Sequence, residues 1–313
     1  MDRLALMQAF VAVAEAEGFA PAARRLGVSP PVVTRSIAAL EEHLGTRLLE
    51  RTTRKVRITE AGARYLGDCK RLLAELEDAE AAVRGAHETA RGSLGVTASA
   101  MFGRMFVSPI LVEFLAKYPQ VTARALLVDR VVDLIDEGLD VAIRIAHLDD
   151  SSLTSVKVGA VRRITCASPS YLKKHGVPRV PRDLADHRTF VFSNERTAPA
   201  WAFEQRGKPL SFRPRAALLA NTSEVGIEAA VAGFGVTRAL SYMVASHVHA
   251  GRLRIILQDY EAAPIPIHVV YREGRRAPAR VRAFIDFVVP RLRQSAELGL
   301  DLAAQTARPR TRT

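Results

Sequence analysis

Three features of the 313-residue sequence predict an N-terminal all-α winged helix-turn-helix, a long linker helix and a C-terminal α/β domain of two subdomains. An apolar stripe, Val33, Ile37, Leu40 and Leu44, follows a Ser29-Pro30-Pro31 helix start. A heptad seam runs from Tyr65 to Ala86. After Gly92, short β-type runs alternate with helical stretches. The length suits two or more domains, each able to bury its own core.

The first helix is expected from Leu4 to Ala16, with Leu6, Phe10, Val13 and Ala14 on one face and Gly18 as its end. A short second helix begins at Pro21, and Gly27 supplies the tight turn that crossed helices need. Ser29 is the expected N-cap of the third helix, with Pro30 and Pro31 where missing N–H groups matter least. Its stripe faces the core, so Thr34 and Arg35 point outward near the helix N-terminus. A reading helix presents side chains to base edges and phosphates there. Arg35 suits a bidentate contact with guanine or phosphate, and Thr34 a base edge or a thymine methyl.

Residues 47–59 hold five basic side chains and one acid, with apolar pairs at either end. The run reads as a hairpin wing whose tip, Thr52 to Lys55, lies along a phosphate backbone. Alone it equally fits a solvated loop. A helix then runs from Thr59-Glu60-Ala61-Gly62 to about Glu88. Tyr65, Cys69, Leu72, Leu76, Ala79, Val83 and Ala86 recur at steps of four and three, as in a seam between helices. A second copy of the chain is the preferred partner, because two DNA half-sites need paired reading helices. Packing on the chain's own C-terminal domain is the alternative.

Net charge is +12, but residues 1–59 carry +3, residues 60–90 carry −3 and residues 91–313 carry +12. Basicity therefore says little about where DNA binds. Cys69 and Cys166 form no CxxC pair and read as small buried residues, with no metal or cofactor implied. No run approaches a membrane span, and Met1 to Phe10 lacks an export pattern, so a cytoplasmic location is expected.

Phe10, Ala22-Ala23, Leu26, Ser29 to Arg35, Leu40-Glu41, Leu44-Gly45, Leu48, Arg51, Arg54 and Thr59-Glu60-Ala61-Gly62 resemble a LysR-type transcriptional regulator. The resemblance implies a winged helix-turn-helix (1–59), a dimerising linker helix (60–90) and, beyond these residues, a tetramer. It implies DNA contacts from Pro30, Pro31, Thr34, Arg35, Arg51 and Arg54, and with Ser29, Val32 and Lys55 these make up the candidate DNA-contacting set. Two positions depart from the family pattern. Ala20 replaces a Ser or Thr that would cap the second helix, and Val32 is larger than usual, which bears on base preference.

Residues 91–293 read as α/β. Strands are expected at Leu94–Ala98, Val121–Val128, Val141–Ile145, Val156–Val158 and Ile164–Cys166, with helices at Phe102–Tyr118 and Val131–Glu137. A second set follows at Phe190–Phe192, Ala216–Ala220, Ser223–Ala232 and Ser241–His249. The chain then returns to a strand, Pro266–Tyr271, and a helix, Pro278–Leu292. Two subdomains (91–165 with 266–293, and 166–265) joined by two crossovers fit this order, and their cleft is the natural ligand site. Asp129-Arg130 with Asp133, Gly138 to Arg144, Cys166 to Leu172 and Ala232 to Val236 resemble the same family's effector-binding domain, which is similar to periplasmic solute-binding proteins. Residues 294–313 read as a disordered basic tail.

Candidate effector contacts are Ser99, with Ala100 and Phe102 in the helical turn after it, then Arg144, Asn194, Asn221, Thr222 and Phe234. Strand-to-helix corners at Ser99 and at Asn221 to Ser223 gather backbone N–H groups. Arg144 is placed to hold a carboxylate. A small anionic effector follows. Plain helix capping at Ser99 and Ser223, an ion pair of Arg144 with Asp140 or Asp129, and a core role for Phe234 are the alternatives.

Other functions fit less well. Eight histidines fall in no HExxH, and GxSxG and P-loop patterns are missing, so no enzyme is expected. A cytoplasmic solute-binding protein would not carry the N-terminal module. A ligand-independent architectural DNA-binding protein would leave the C-terminal domain without a purpose.

Overall fold

The computed structural model describes residues 2–51, 56–83, 90–148, 153–272, 277–295 and 298. The chain divides into two compact units, Met1–Gly92 and Ser93–Thr313. No described helix is long and apolar enough to cross a membrane.

In the first unit, α1 (Arg3–Ala16), α2 (Phe19–Leu26) and α3 (Pro30–Leu44) enclose a core of Phe10, Val13, Ala22, Val33, Ile37 and Leu40. Two expectations at the helix ends need correction. Glu17, at φ 48°, takes the left-handed position that ends α1, while Gly18 is extended and opens α2. Pro21 is therefore the third residue of α2 and Ala20 the second, so a side chain at Ala20 would not be the N-cap. Gly27 (φ 66°) does make the expected turn.

The hairpin pairs β1 (Leu49–Arg51) with β2 (Val56–Ile58). Its tip, with Arg54 and Lys55, lies outside the described residues. A clamp from three elements sets its base. Glu41 Oε1 accepts from the backbone N–H groups of Leu48 (2.8 Å) and Leu49 (3.0 Å). Thr59 Oγ1 donates to the Arg47 carbonyl and accepts from Gly62 N at 2.9 Å, capping α4 (Glu60–Val83). A Cβ on Gly62 would sit 2.1 Å from the Leu48 carbonyl oxygen, so only glycine fits there.

The 24 residues of α4 span about 36 Å. Cys69 is fully buried in the core of the same unit, and Phe10 packs at a tilt against Tyr65, 5.8 Å between ring centroids. The first two seam positions are therefore covered from within, and the seam left for another helix begins at Leu72, which is exposed. Ala86 lies outside the described residues.

The second unit holds two five-stranded sheets. The first has the order β4-β3-β5-β14-β6, from β3 (Gly92–Ala98), β4 (Val121–Leu127), β5 (Val141–Ile145), β6 (Thr154–Val161) and β14 (Ile265–Tyr271). The second has the order β11-β8-β12-β7-β13, from β7 (Arg163–Ala167), β8 (Thr189–Phe192), β11 (Ala216–Ala220), β12 (Val236–Leu240) and β13 (Arg254–Ile256). The chain crosses between the sheets twice, as expected. The first crossing falls at Arg162, slightly before the expected boundary, so Arg163 belongs to the second subdomain.

Helical residues from α5 (Ala100–Phe102) through a π segment (Gly103–Val107) to α6 (Ser108–Lys117) cover the first sheet with α10 (Ala279–Gln294). In the second subdomain, α7 (Pro169–His175) follows β7, and α8 (Ser223–Val231) and α9 (Ser241–His249) flank β12. The helix expected at Val131–Glu137 is a turn. Asp133 Oδ1 takes the backbone N–H groups of Ile135 and Asp136, and Gly138 (φ 61°) reverses the chain at once. A hairpin, β9 (Trp201–Gln205) with β10 (Lys208–Phe212), lies where no strands were expected. Of the tail, Leu298 is buried beside Gly159, so packing reaches at least that residue.

Candidate functional site

On α3 the stripe buries Val33, Ile37 and Leu40, but Leu44 is 37 % exposed. The opposite face presents Ser29, Pro30, Pro31, Val32 and Arg35 to solvent, while Thr34 is half-buried. Ser29 stands at the N-cap, yet its side chain makes no capping bond. The reason is local: Pro30 and Pro31 have no N–H, and the first free one, Val32 N, bonds the Ser29 carbonyl at 3.0 Å. Exposed polar, apolar and cationic groups thus lie along the first turns of a rigid helix. Arg51 is the last residue of β1.

In the second unit a cleft of about 1160 Å³ is lined from both sheets. Ser99, Arg144 and Asn194 line it, as expected. Arg144 does not pair with Asp140 or Asp129. Its Nη2 donates to the Val132 carbonyl at 2.9 Å, while Asp140 accepts from Gly95 N at 2.7 Å. The Asp129 carboxylate accepts from Ala100 N at 3.0 Å, so the N–H expected to greet a ligand is already engaged. Asn194 Nδ2 donates to the Asp129 carbonyl (2.7 Å), and Arg104 pairs with Glu224 at 2.9 Å. Both contacts bridge the subdomains.

Five of the candidate effector contacts are not cleft-lining. Ala100 is spent on Asp129. Phe102 is fully buried edge-on to Tyr242, 5.5 Å between centroids. Thr222 caps α8 by accepting from Glu224 N, Asn221 lies beside it, and Phe234 is 59 % exposed on the turn before β12. Ser223 does line the cleft. Ser99 Oγ and the Tyr242 hydroxyl are buried as neighbours, and burial pushes the Tyr242 hydroxyl above its ordinary pKa, while Ser99 acts to lower it.

Two cleft arginines escaped the sequence reading. Arg163 on β7 and Arg238 on β12 both line the wall of the second subdomain. Opposite them stand Arg144 and Arg130, the latter paired with Glu137 at 2.5 Å, so that three other arginines face two lining carboxylates, Asp129 and Glu195. Burial pulls the Arg238 guanidinium down to about 10. The available signal was an arginine within an apolar strand, Val236-Thr-Arg-Ala-Leu240, where a charge needs a reason.

The profile of the "Bacterial regulatory helix-turn-helix protein, lysR family" matches residues 4–63, and that of the "LysR substrate binding domain" matches residues 87–293. The chain belongs to the LysR family. It is a DNA-binding transcriptional regulator with an effector-binding domain. An uncharacterized HTH-type transcriptional regulator of Haemophilus influenzae is 33 % identical over 281 residues, covering 90 % of this chain and 98 % of the relative. The transcriptional activator AaeR of Escherichia coli K12 is 30 % identical over 286 residues, covering 91 % and 93 %. The full-length structure of the Vibrio cholerae virulence activator AphB superposes with a TM-score of 0.59 at 28 % identity, covering 93 % of this regulator and 99 % of AphB. CrgA of Neisseria meningitidis gives 0.59 at 29 % identity, covering 92 % and 98 %.

Proposed function

We propose that this regulator reads an operator with the N-terminal turns of α3, using Ser29, Pro30, Pro31, Val32, Thr34 and Arg35, and grips flanking phosphates with Arg51, Arg54 and Lys55 of the wing. The C-terminal cleft takes a small anionic effector. The observation that carries this reading is the excess of arginine over carboxylate on the cleft's two walls. Cations facing a shared space repel one another, and an anion relieves that repulsion. The protein acts as a homodimer through the exposed part of α4, from Leu72 onward, because paired half-sites need paired reading helices. Assembly beyond the dimer rests on the family resemblance. An effector that binds one closure state of the cleft more tightly shifts the DNA-bound arrangement toward that state.

Footprinting the full-length protein on DNA upstream of its own gene, with and without a panel of small organic anions, tests this. Anions should alter the protected region and neutral isosteres should not. A footprint that no anion changes overturns the effector reading.

A further inference from the structure

Arg238 is 8 % exposed. Its Nη2 donates to the Ala202 carbonyl. Its guanidinium carbon lies 4.3 Å from the centroid of the Phe203 ring and 5.9 Å from that of Trp201. Nε and Nη1 are buried and meet no acceptor among the described residues. Pairing of β12 with β7 sets Leu240 opposite Arg163 and Arg238 opposite Thr165. Both arginines therefore leave the same face of the sheet, one diagonal step apart.

Their neighbourhood is short of negative charge. The carboxylate that acts on Arg238 is Glu261. Glu261 is already held by Arg162, which donates to it from Nε (2.7 Å) and Nη2 (2.8 Å). Arg162 and Arg238 thus share one carboxylate, and Arg163 adds a further cation that acts on Arg238. A buried cation without a counter-ion is costly, and a fixed planar donor waiting in a cleft wall is how carboxylates are gripped. Trp201, Phe192, Met243 and Leu240 line the same wall. An apolar body packs against such a surface, whereas phosphate would surrender most of its hydration there.

We propose that Arg238, with Arg163 beside it, is the carboxylate anchor of the cleft, and that the ligand is a small organic carboxylate with an apolar body. The inference rests on the reading of the cleft as the effector site. It moves the anchor from Arg144, whose guanidinium is tied to Val132 on the other wall, to the second subdomain.

Trp201 is the sole tryptophan of the chain and reports on this position directly. The full-length protein is titrated with cyclohexanecarboxylate and 4-methylpentanoate, following tryptophan emission, and then with cyclohexanecarboxamide and inorganic phosphate. Both carboxylates should change the emission saturably at up to millimolar concentration, and the amide and phosphate should not. Arg238→Gln should weaken carboxylate binding about tenfold or more, and Arg163→Gln by about three- to tenfold. Arg163 is exposed at the cleft wall, so its variant carries the test if Arg238→Gln does not fold. Equal binding of amide or phosphate overturns the proposal, as does a flat carboxylate titration. Carboxylate binding unchanged in Arg163→Gln and in folded Arg238→Gln also overturns it. If the carboxylates still alter the footprint in those variants, the effector cleft stands and only the arginine anchor falls.

Discussion

Arg35 on α3 and Arg238 in the cleft are the same residue in opposite settings. Arg35 is exposed on a helix whose far side is packed solid. Arg238 lies over the Phe203 and Trp201 rings, with two of its nitrogens meeting no acceptor among the described residues. The difference teaches what each ligand demands. A DNA backbone is a polyanion approached through water, and an exposed arginine serves it at no cost to the fold. A small anion has few charges to offer, so its partner must be fixed and partly dehydrated beforehand. That preparation destabilises the ligand-free protein.

The comparison can be broken at four points. The largest effect should come from the packing that holds Arg35 outward. Leu40 is fully buried, and Leu40→Ala should cost about 2–5 kcal/mol in denaturant unfolding of the first unit, taking operator binding with it. A loss well under 1 kcal/mol would mean that the stripe does not fix the helix. Next, Arg35→Ala should cost about 1–3 kcal/mol of operator affinity while the melting temperature stays put. A fall in melting temperature would show Arg35 to be structural.

Arg238→Met should act in the opposite sense on the free protein. Removing an uncompensated buried charge should leave it at least as stable, gaining up to about 1 kcal/mol in thermal unfolding. A clear destabilisation would show that the bond to Ala202 and the ring stacking outweigh the desolvation cost.

The smallest effect concerns pH. Burial lowers the pKa of His187 and His268 below the ordinary 6.5. On acidification the unfolded chain takes up these protons first. Their contribution to stability is therefore present above about pH 6.5 and is lost as pH falls below it. The unfolding midpoint of the second unit should decline gently below pH 6.5, and His187→Gln should reduce the slope. A flat profile would contradict the lowering of both rings by partial burial.

How far the sequence could be read follows from the same physics. Val33, Ile37 and Leu40 were legible because helical periodicity and burial coincide in mid-helix. Leu44 misled because, in the last turn, its side chain stays 37 % exposed despite the period. Glu41, Thr59 and Gly62 were visible only as letters of a family pattern. Their work, clamping the wing base around Leu48, depends on three distant elements meeting. The hairpin at Arg206-Gly207 had only a weak local signal, one glycine between two short alternating runs, and the structure alone shows both residues at positive φ. The places of Ser99, Arg144 and Asn194 in the cleft lining were legible because strand ends point to clefts. Arg238 was not, because its significance lies in what fails to surround it, and only tertiary structure shows that.

The most direct test of the account is a mobility-shift titration of wild-type protein and Arg35→Ala on DNA from upstream of the gene, with random-sequence DNA of equal length alongside. The variant should bind the upstream DNA about ten- to a hundredfold more weakly and random DNA almost as well as wild type does. Equal affinity of both proteins for the upstream DNA would contradict the assignment of α3 as the reading helix.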